Sequence, residues 1–214
     1  MKIRTVDELD DRIRADYTWR RHEIQFFDQQ LSTAETIAAR SLLRASLALL
    51  YAHWEGHIKT VGHYYLCYVA SLRLTTECLS PELAAFSMRS VLNKTVDTQS
   101  ASLHIEMVRE FRLGDTRRAN IPTTKDAIQT RSNLSYPVLV NILTSIGIDS
   151  TLYEDSSDVI NLELVDSRNR IAHGQNDYIE RGDWVRIRTK VLSIMESIGN
   201  EIVNNAVLKK YLAT

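Results

Sequence analysis

The sequence predicts an all-α protein, and three features of its composition and patterning lead to that class. The 214 residues include only 7 glycines and 3 prolines, so the chain has few of the turn signals that separate short strands. Apolar residues recur at intervals of three and four over long stretches, which is the helical period. No stretch of useful length alternates with the period of two that marks a strand. We therefore expect an up-and-down helical bundle, with residues 1–214 forming a single domain.

Charge, hydropathy and cysteine content exclude several classes of protein. The 26 basic and 27 acidic residues leave a net charge of −1, which argues against a globally basic nucleic-acid coat but allows a local basic patch. The uncharged stretches 45–54 and 60–72 are shorter than the roughly 18 apolar residues of a membrane span. The charged N-terminus lacks the apolar region of a signal peptide. Cys67 and Cys78 form no CxxC pair, so we expect a cytoplasmic protein without a disulfide framework.

The N-terminal part of the chain predicts two long helices. The first spans 5–31, because Thr5 and Glu8 form a capping-box pattern and apolar residues follow at helical spacing. The second spans 34–77 and is apolar on nearly all sides, which predicts a central helix, bent near Gly62.

Shorter helices and one long C-terminal helix follow. Ser80-Pro81-Glu82 starts a helix, Leu103 to Phe111 forms another, and Ser135-Tyr136-Pro137 starts one that ends at Gly147. A further helix runs over 157–172, and Asp183 is the predicted N-cap of the last helix. That last helix carries a continuous apolar stripe, suited either to a neighbouring antiparallel helix or to a partner chain. The stripe consists of Trp184, Ile187, Val191, Ile194, Ile198 and Ile202.

Residues 109–135 have the composition of a polar insertion into the bundle. From Arg109 to Arg131 there are six basic and three acidic residues, a local excess of +3. A solvated insertion explains this composition, and a basic flap over a polyanion is the alternative. In the second case the RNA-binding side chains are Arg117, Arg118 and Lys125.

Two histidines of the second helix raise the question of a metal site. His53 and His57 lie one turn apart, so their imidazoles can share a face. A third ligand is missing, because Glu55 points away from that face. We therefore expect partly buried histidines that hydrogen-bond within the bundle, and neither a metal ion nor a cofactor.

The segment 166–174 is the most distinctive chemically. It places Arg168, Asn169 and His173 within six residues at a predicted helix C-terminus. Asn169 and His173 share a face, whereas Arg168 and His173 are separated by about 140° of rotation on a regular helix. The two side chains therefore converge only if the helix ends near His173, or if two copies of the segment meet across a dimer axis.

This segment also carries a family resemblance. Arg168-Asn169-Arg170-Ile171-Ala172-His173 resembles the R-x4-6-H motif of the HEPN superfamily (higher eukaryotes and prokaryotes nucleotide-binding domains). Trp54-Glu55-Gly56-His57-Ile58-Lys59 and Ser132-Asn133-Leu134-Ser135 are similar to a branch of stand-alone bacterial HEPN proteins, usually associated with toxin–antitoxin and phage-defence loci. The resemblance implies an all-α HEPN-like bundle that cleaves RNA without a metal. The 2′-hydroxyl attacks the adjacent phosphodiester and leaves a 2′,3′-cyclic phosphate.

The resemblance assigns roles to residues of this chain. His173 would be the general acid or base, Arg168 would bind the phosphate and stabilise the transition state, and Asn169 would orient the imidazole or the scissile group. It also implies a homodimer whose two motifs face each other, with an antitoxin or a defence-system protein as a further partner. Some toxins of the superfamily carry a modified tyrosine two residues after the histidine. This chain has Gln175 there, so we do not expect that regulation.

Three further side chains are candidates for supporting the motif. Glu55 is placed to brace Arg168 or Arg170 from the second helix, and an ordinary surface ion pair is the alternative. Asp166 and Arg170 are spaced for an i, i+4 ion pair, which would make the segment a simple capped helix end.

Three functions remain open at this point. The first is a ribonuclease that acts as a toxin or a phage-defence effector. The second is a non-catalytic HEPN module that binds RNA, a nucleotide or a partner protein, which the near-neutral charge and the apolar stripe of the last helix favour. The third is a helical antitoxin or assembly subunit that pairs with a related chain.

Overall fold

The structure, a computed structural model, describes residues 2–96, 98–114 and 116–213. Over these ranges the chain forms eight α-helices and no β-strand, which confirms the all-α class. A π-helical segment, Val159–Val165, runs directly into the seventh α-helix. The helices are α1 (Val6–Thr33), α2 (Thr36–Ser71), α3 (Pro81–Ser87), α4 (Arg89–Thr95), α5 (Ala101–Gly114), α6 (Tyr136–Ser145), α7 (Asp166–Ala172) and α8 (Arg181–Val207).

Helix α1 begins where its capping residues predict. The Thr5 hydroxyl accepts a hydrogen bond from the Glu8 amide at 3.1 Å, which satisfies one of the free amides of the first turn. The Glu8 carboxylate accepts the Arg4 amide at 2.7 Å, one residue earlier than the capping box requires. Two residues, 34–35, join α1 to α2, and so short a link makes the two helices antiparallel neighbours.

Helix α2 lies at the centre of the bundle, as its apolar sequence predicts. It packs against α1, α7 and α8, and Leu47, Leu50 and Trp54 are fully buried. The prediction that it continues to residue 77 is wrong, because it ends at Ser71. Arg73 adopts the left-handed conformation with φ 57°, which stops the helix and turns the chain back.

Helix α8 covers α1 and α2, and its apolar stripe is buried there. Every residue of the stripe from Trp184 to Ile202 is at most 4% exposed. The stripe therefore has its partner within the same chain, and the alternative of a partner chain on it is wrong. The helix also begins earlier than predicted, at Arg181. Asp183 is its third residue and accepts the Glu180 amide at 3.4 Å, so it is the acid of a capping box and not the N-cap.

The shorter helices follow their start and stop signals. Pro81 is the first residue of α3, and α6 begins at Tyr136 and ends before Gly147, which has a left-handed φ of 73°. Helix α5 is longer than the predicted 103–111 and packs against α4.

The second half of the polar insertion is packed on the bundle. Ile128 and Leu134 are buried at 1% exposure or less, and Ile121 and Ala127 are also buried. The Ala119 amide donates to the Leu74 carbonyl at 2.9 Å, just after the end of α2. Residues 119–134 thus form a loop that lies along α2, and this loop reaches the candidate site described below.

A buried ionic cluster joins α1, α2 and α8. Arg20 donates to both oxygens of Asp16 at 2.8 and 3.0 Å, and His57 Nδ1 lies 2.7 Å from Asp16 Oδ2. His57 Nε2 lies 3.0 Å from the Met195 carbonyl, so the two ring nitrogens of His57 connect α1 and α8 through α2. Cysteine, histidine and acidic side chains in the described ranges form no group of three that could hold a metal ion.

Gly56 makes room for this cluster. A Cβ atom at residue 56 would lie 2.8 Å from Nη1 of Arg20, inside the contact distance of two heavy atoms. Arg20 cannot move away freely, because it is 8% exposed and held by Asp16. A glycine is therefore required at this position of α2 despite its cost within a helix.

None of the helices in the described part of the chain has the combination of length and hydrophobicity needed to cross a lipid bilayer.

We expect Gly56→Ala to lower the free energy of unfolding by about 1–3 kcal/mol, because the added methyl group displaces the buried guanidinium of Arg20. Gly182→Ala is the matched control. It lies in the first turn of α8 with no atom within 4 Å of its new Cβ, so its free energy of unfolding should stay the same or rise by about 0.5 kcal/mol. Urea unfolding followed by circular dichroism measures both, and an equal response of the two variants would contradict the prediction.

The buried cluster also predicts a pH dependence. Burial by itself raises the pKa of the Asp16 carboxyl, but the hydrogen bonds from His57 and Arg20 outweigh it, so the pKa lies below its usual value. The ionised carboxylate therefore stabilises the fold above about pH 4 and loses this effect as the pH falls through its lowered pKa.

We expect Asp16→Asn to cost about 3–5 kcal/mol at pH 7, since it leaves the buried Arg20 guanidinium without its anion. The difference from the wild type should narrow below about pH 4, as the wild-type carboxyl takes up its proton. Urea midpoints from pH 7 to pH 3 test this, with the partly exposed Asp10→Asn on the same helix as control. If the difference in stability between the wild type and Asp16→Asn stayed constant across this pH range, the lowered pKa of Asp16 would be contradicted.

Candidate active site

The motif segment lies at the end of an irregular helix. The predicted helix over 157–172 is helical throughout, but its turn at Val159–Val165 is π-helical before α7 begins at Asp166. Such π-helical turns are rare and occur frequently at functional sites. Ile160 and Leu164 are fully buried and anchor this turn in the core.

Helix α7 ends at the motif histidine. Its last residue is Ala172, and His173 is the C-cap. Gly174 follows with φ 71°, its amide donates to the Ile171 carbonyl at 3.0 Å, and the next amide, of Gln175, donates to Arg170 at 2.9 Å. These two bonds form a Schellman motif, which requires the left-handed conformation that glycine adopts without strain. The helix thus ends at the residue where convergence of the motif requires it to end.

Arg168 is held by neutral groups only. Its guanidinium carbon lies 3.6 Å from the ring centroid of Tyr51, a cation–π contact with α2. Its Nη2 donates to the Ser132 carbonyl at 3.2 Å and to Asn133 Oδ1 at 3.3 Å. No carboxylate of the described residues forms an ion pair with it, so the guanidinium is oriented on three sides and keeps its full positive charge.

A second set of hydrogen bonds fixes Tyr51 and the loop residues that contact Arg168. The Tyr51 hydroxyl donates to Glu55 Oε2 at 2.6 Å and accepts from the Leu134 amide at 2.7 Å. Thr130 donates to the other oxygen of Glu55, and Trp54 Nε1 donates to the Leu134 carbonyl at 3.0 Å. Burial and the bond to Glu55 raise the pKa of Tyr51 to about 12, so the phenol remains a neutral donor at physiological pH. Helix α2 therefore fixes loop 130–134.

Glu55 reaches Arg168 only through Tyr51. The sequence predicts a direct brace of Arg168 or Arg170, and neither contact forms, because the carboxylate is fully engaged by Tyr51 and Thr130. Glu55 does not form the alternative surface ion pair either, because its two carboxylate oxygens accept hydrogen bonds from hydroxyl groups.

Arg170 has a different environment from Arg168. It pairs with Asp177 through two hydrogen bonds of 2.8 and 3.3 Å, and its Nη2 also donates to Ser167 Oγ at 2.8 Å. The predicted i, i+4 ion pair with Asp166 is absent, because the turn at Gly174 brings Asp177 back to the guanidinium. The charge of Arg170 is therefore neutralised locally, which makes it a structural residue of this turn.

His173 and Asn169 remain available to a ligand. His173 is exposed, and its amide donates to the Asn169 carbonyl at 3.0 Å, as expected for a helix end. Asn169 is half-buried. Neither side chain hydrogen-bonds to another described residue, so the imidazole, the amide and the guanidinium of Arg168 lie on one short helix without internal neutralisation.

The structure does not bring the predicted RNA-binding arginines to this site. Arg118 donates to the Ala70 carbonyl at 3.4 Å, at the end of α2. The Arg168 guanidinium stacks on Tyr51, which is 19 residues before Ala70 on α2. This corresponds to a separation of about 28 Å along the helix axis. Arg117 is next to Arg118 in the sequence. Lys125 lies in a short 3₁₀ turn whose neighbouring residues contact Lys59 and His63, between Tyr51 and Ala70 along α2. All three side chains are exposed.

Tyr51 and Thr130 are site residues that sequence reasoning did not single out, whereas Asn133 lies in the segment Ser132–Ser135 that resembles other HEPN proteins. Tyr51 lies in the second predicted helix, where the sequence indicates only an apolar element. Its spacing of four residues from Glu55 was the available signal, because residues at i and i+4 share a helix face. Thr130 carries no comparable signal, since its contact with Glu55 depends on the loop conformation.

A comparison with known families adds to this geometry. The HEPN_MAE_28990-like HEPN family model matches residues 9–211, a range that contains every residue of the site. The chain belongs to this HEPN family. No curated protein and no solved structure gives a significant match. HEPN domains are RNase-like or nucleotide-binding modules and typically dimerise, which sets the class of function to be considered for this chain.

We expect Tyr51→Phe to lower the free energy of unfolding by about 1–3 kcal/mol, because it leaves the Glu55 carboxylate and the Leu134 amide without a shared partner. Tyr178→Phe is the control, since that ring is 65% exposed and should change stability by less than about 0.5 kcal/mol. Urea unfolding measures both. Equal stabilities of the two variants would mean that the Tyr51 hydroxyl does not hold the loop.

Proposed function

We propose that this HEPN protein is a metal-independent endoribonuclease, with Arg168, Asn169 and His173 as its catalytic residues. The observation that carries the proposal is the contrast between two arginines of one helix. Arg170 is neutralised by Asp177, whereas Arg168 is oriented by a ring, a carbonyl and an amide that leave its charge uncompensated. A half-buried arginine without an anion in the protein is suited to an anion from outside, and a phosphate accepts its guanidinium bidentately.

The proposed reaction needs only proton transfer and charge stabilisation. The 2′-oxygen attacks the adjacent phosphorus and gives up its proton to a base. The bond from phosphorus to the 5′-oxygen then breaks, and that oxygen takes a proton from an acid. The products are a 2′,3′-cyclic phosphate and a 5′-hydroxyl. His173 transfers one of these protons, because an imidazole titrates near neutral pH, and Arg168 stabilises the charge on the phosphate oxygens.

A homodimer completes the site in this proposal. One exposed motif supplies one imidazole, whereas the reaction requires both a base and an acid. A second copy of the chain that faces the first would supply the other imidazole. Asn169, one turn before His173, would orient the imidazole or the scissile phosphate.

The biological setting that fits this activity is a cytoplasmic toxin or phage-defence effector, held in check by a partner protein. In this setting the chain acts as a single domain on RNA. Arg117, Arg118 and Lys125 would contact the RNA backbone away from the scissile phosphate, which is consistent with their exposure and their distance from the motif.

We expect His173→Ala and Arg168→Ala each to reduce RNA cleavage by at least about a hundredfold, since each removes one contribution to the transition state. Arg168→Lys should restore little, because a lysine cannot stack on Tyr51 and bind phosphate bidentately at once. The assay is cleavage of tRNA and bulk RNA by the purified protein in EDTA. His22→Ala and Arg14→Ala, both exposed on α1, are the matched controls and should cleave as the wild type does.

The proposed chemistry has an additional test in the substrate. Products should end in 2′,3′-cyclic phosphates, and replacement of the ribose at the cleavage position by 2′-deoxyribose should abolish cleavage there. Equal and negligible cleavage by the wild type and the motif variants would refute the proposed ribonuclease activity. If RNA still bound in that case with a steep salt dependence, the non-catalytic RNA-binding module would be the better function.

A further inference from the structure

A cavity lies next to the loop that holds Arg168. It has a volume of about 330 Å³ and is enclosed by α3, α6 and residues 127–131. Its floor consists of the buried apolar side chains Phe86, Ile128 and Ile142. Its rim is polar and includes Arg89, Arg131 and Asn141. Small-molecule sites of proteins begin at about this size and combine an apolar lining with a few polar groups in this way.

Both arginines at the rim keep their positive charge. Arg89 donates to the Ala127 carbonyl and to Gln129 Oε1, each at 3.3 Å, and its guanidinium lies 5.7 Å from the Phe86 ring centroid. Arg131 is exposed and pairs with no carboxylate within the described ranges. The only acid of the lining, Glu82, lies on the side of Gly147, with its Oε2 3.8 Å from the Cβ position of that residue.

The cavity and the candidate active site share one loop. Arg131 lines the cavity, and the next residue, Ser132, binds Arg168 through its carbonyl. Both have left-handed backbones, with φ 55° and 54°, which is unusual for two consecutive residues other than glycine. The bonds of Thr130 to Glu55 and of the Leu134 amide to Tyr51 hold the loop in this conformation. The group that binds Arg168 therefore adjoins, along the chain, a residue that lines the cavity.

We propose that this cavity binds one nucleotide of the RNA next to the phosphate held by Arg168. The base lies on the apolar floor and is read by Asn141, and the phosphate of that nucleotide is bound by Arg89 and Arg131. Single-stranded RNA is recognised in this manner, with unstacked bases placed on apolar side chains and their edges hydrogen-bonded. The inference rests on the proposed ribonuclease function and adds to it a base-specific subsite.

Cleavage of a set of short oligoribonucleotides, each with one base varied beside the cleavage position, tests the subsite. We expect the wild type to prefer one base at one flanking position. Arg131→Gln should lower kcat/KM by about tenfold, mainly through KM, and Asn141→Ala should remove the base preference. Ala85→Trp, a substitution of an exposed residue of the lining, should block the cavity and do both. Arg14→Gln, on the distant helix α1, is the control and should leave rate and preference unchanged.

Calorimetric titration with the four nucleoside 3′-monophosphates separates the subsite from catalysis. Arg168→Ala should bind them as the wild type does, whereas Ala85→Trp and Arg131→Gln should bind at least about tenfold more weakly. If the wild type did not cleave RNA but the mononucleotides bound in this pattern, the ribonuclease function would be refuted and nucleotide binding in the cavity would be supported. If every cavity variant cut RNA with wild-type kcat/KM and preference, or if mononucleotides bound no better than inorganic phosphate, the subsite would be overturned while the nuclease stood.

Discussion

Burial of α2 on most of its sides is the constraint on which the other elements depend. A buried helix cannot leave its polar side chains to water, so several of them bind groups from other parts of the chain. His57 finds Asp16 of α1 and a carbonyl of α8, and Tyr51 and Glu55 find loop 130–134. The polar groups of the central helix therefore fix the positions of the elements around it, and the candidate active site lies where one of these sets of bonds reaches the surface.

The candidate site illustrates how a protein can orient a cation without neutralising it. A guanidinium can be oriented without being neutralised if its partners are a carbonyl, an amide oxygen and an aromatic ring. The carboxylate of Glu55 lies on the far side of Tyr51, where it bonds the hydroxyl instead of the guanidinium. Glu55 therefore fixes the Tyr51 ring on which Arg168 stacks, and it does not neutralise the guanidinium. Arg170, two residues later, has the opposite arrangement and serves the turn that ends α7.

Family membership and geometry support each other at this point. The HEPN match covers residues 9–211 and defines a class of RNase-like or nucleotide-binding modules. Within that class, the exposed imidazole of His173 at a helix end and the uncompensated charge of Arg168 are the observations from which we propose a ribonuclease. The near-zero net charge of the chain is compatible with this, because recognition by a few oriented cations does not require a basic protein.

The helical class, several helix boundaries and the location of the motif are predictable from the sequence, because they depend on local rules. Capping residues, prolines, glycines and the helical period act within a few residues of one another, so Thr5, Pro81 and Gly174 indicate their helix ends correctly. The end of α2 at Ser71 was missed, since a left-handed arginine leaves no such signal.

The surroundings of the motif depend on contacts between distant parts of the chain. Asp177 replaces Asp166 as the partner of Arg170, Tyr51 supports Arg168 in place of Glu55, and the stripe of α8 is covered by α1 and α2. These contacts join residues far apart in the chain. Which of several chemically suitable partners reaches a given side chain is determined by how the helices pack, and packing is a property of the whole core and not of any one segment.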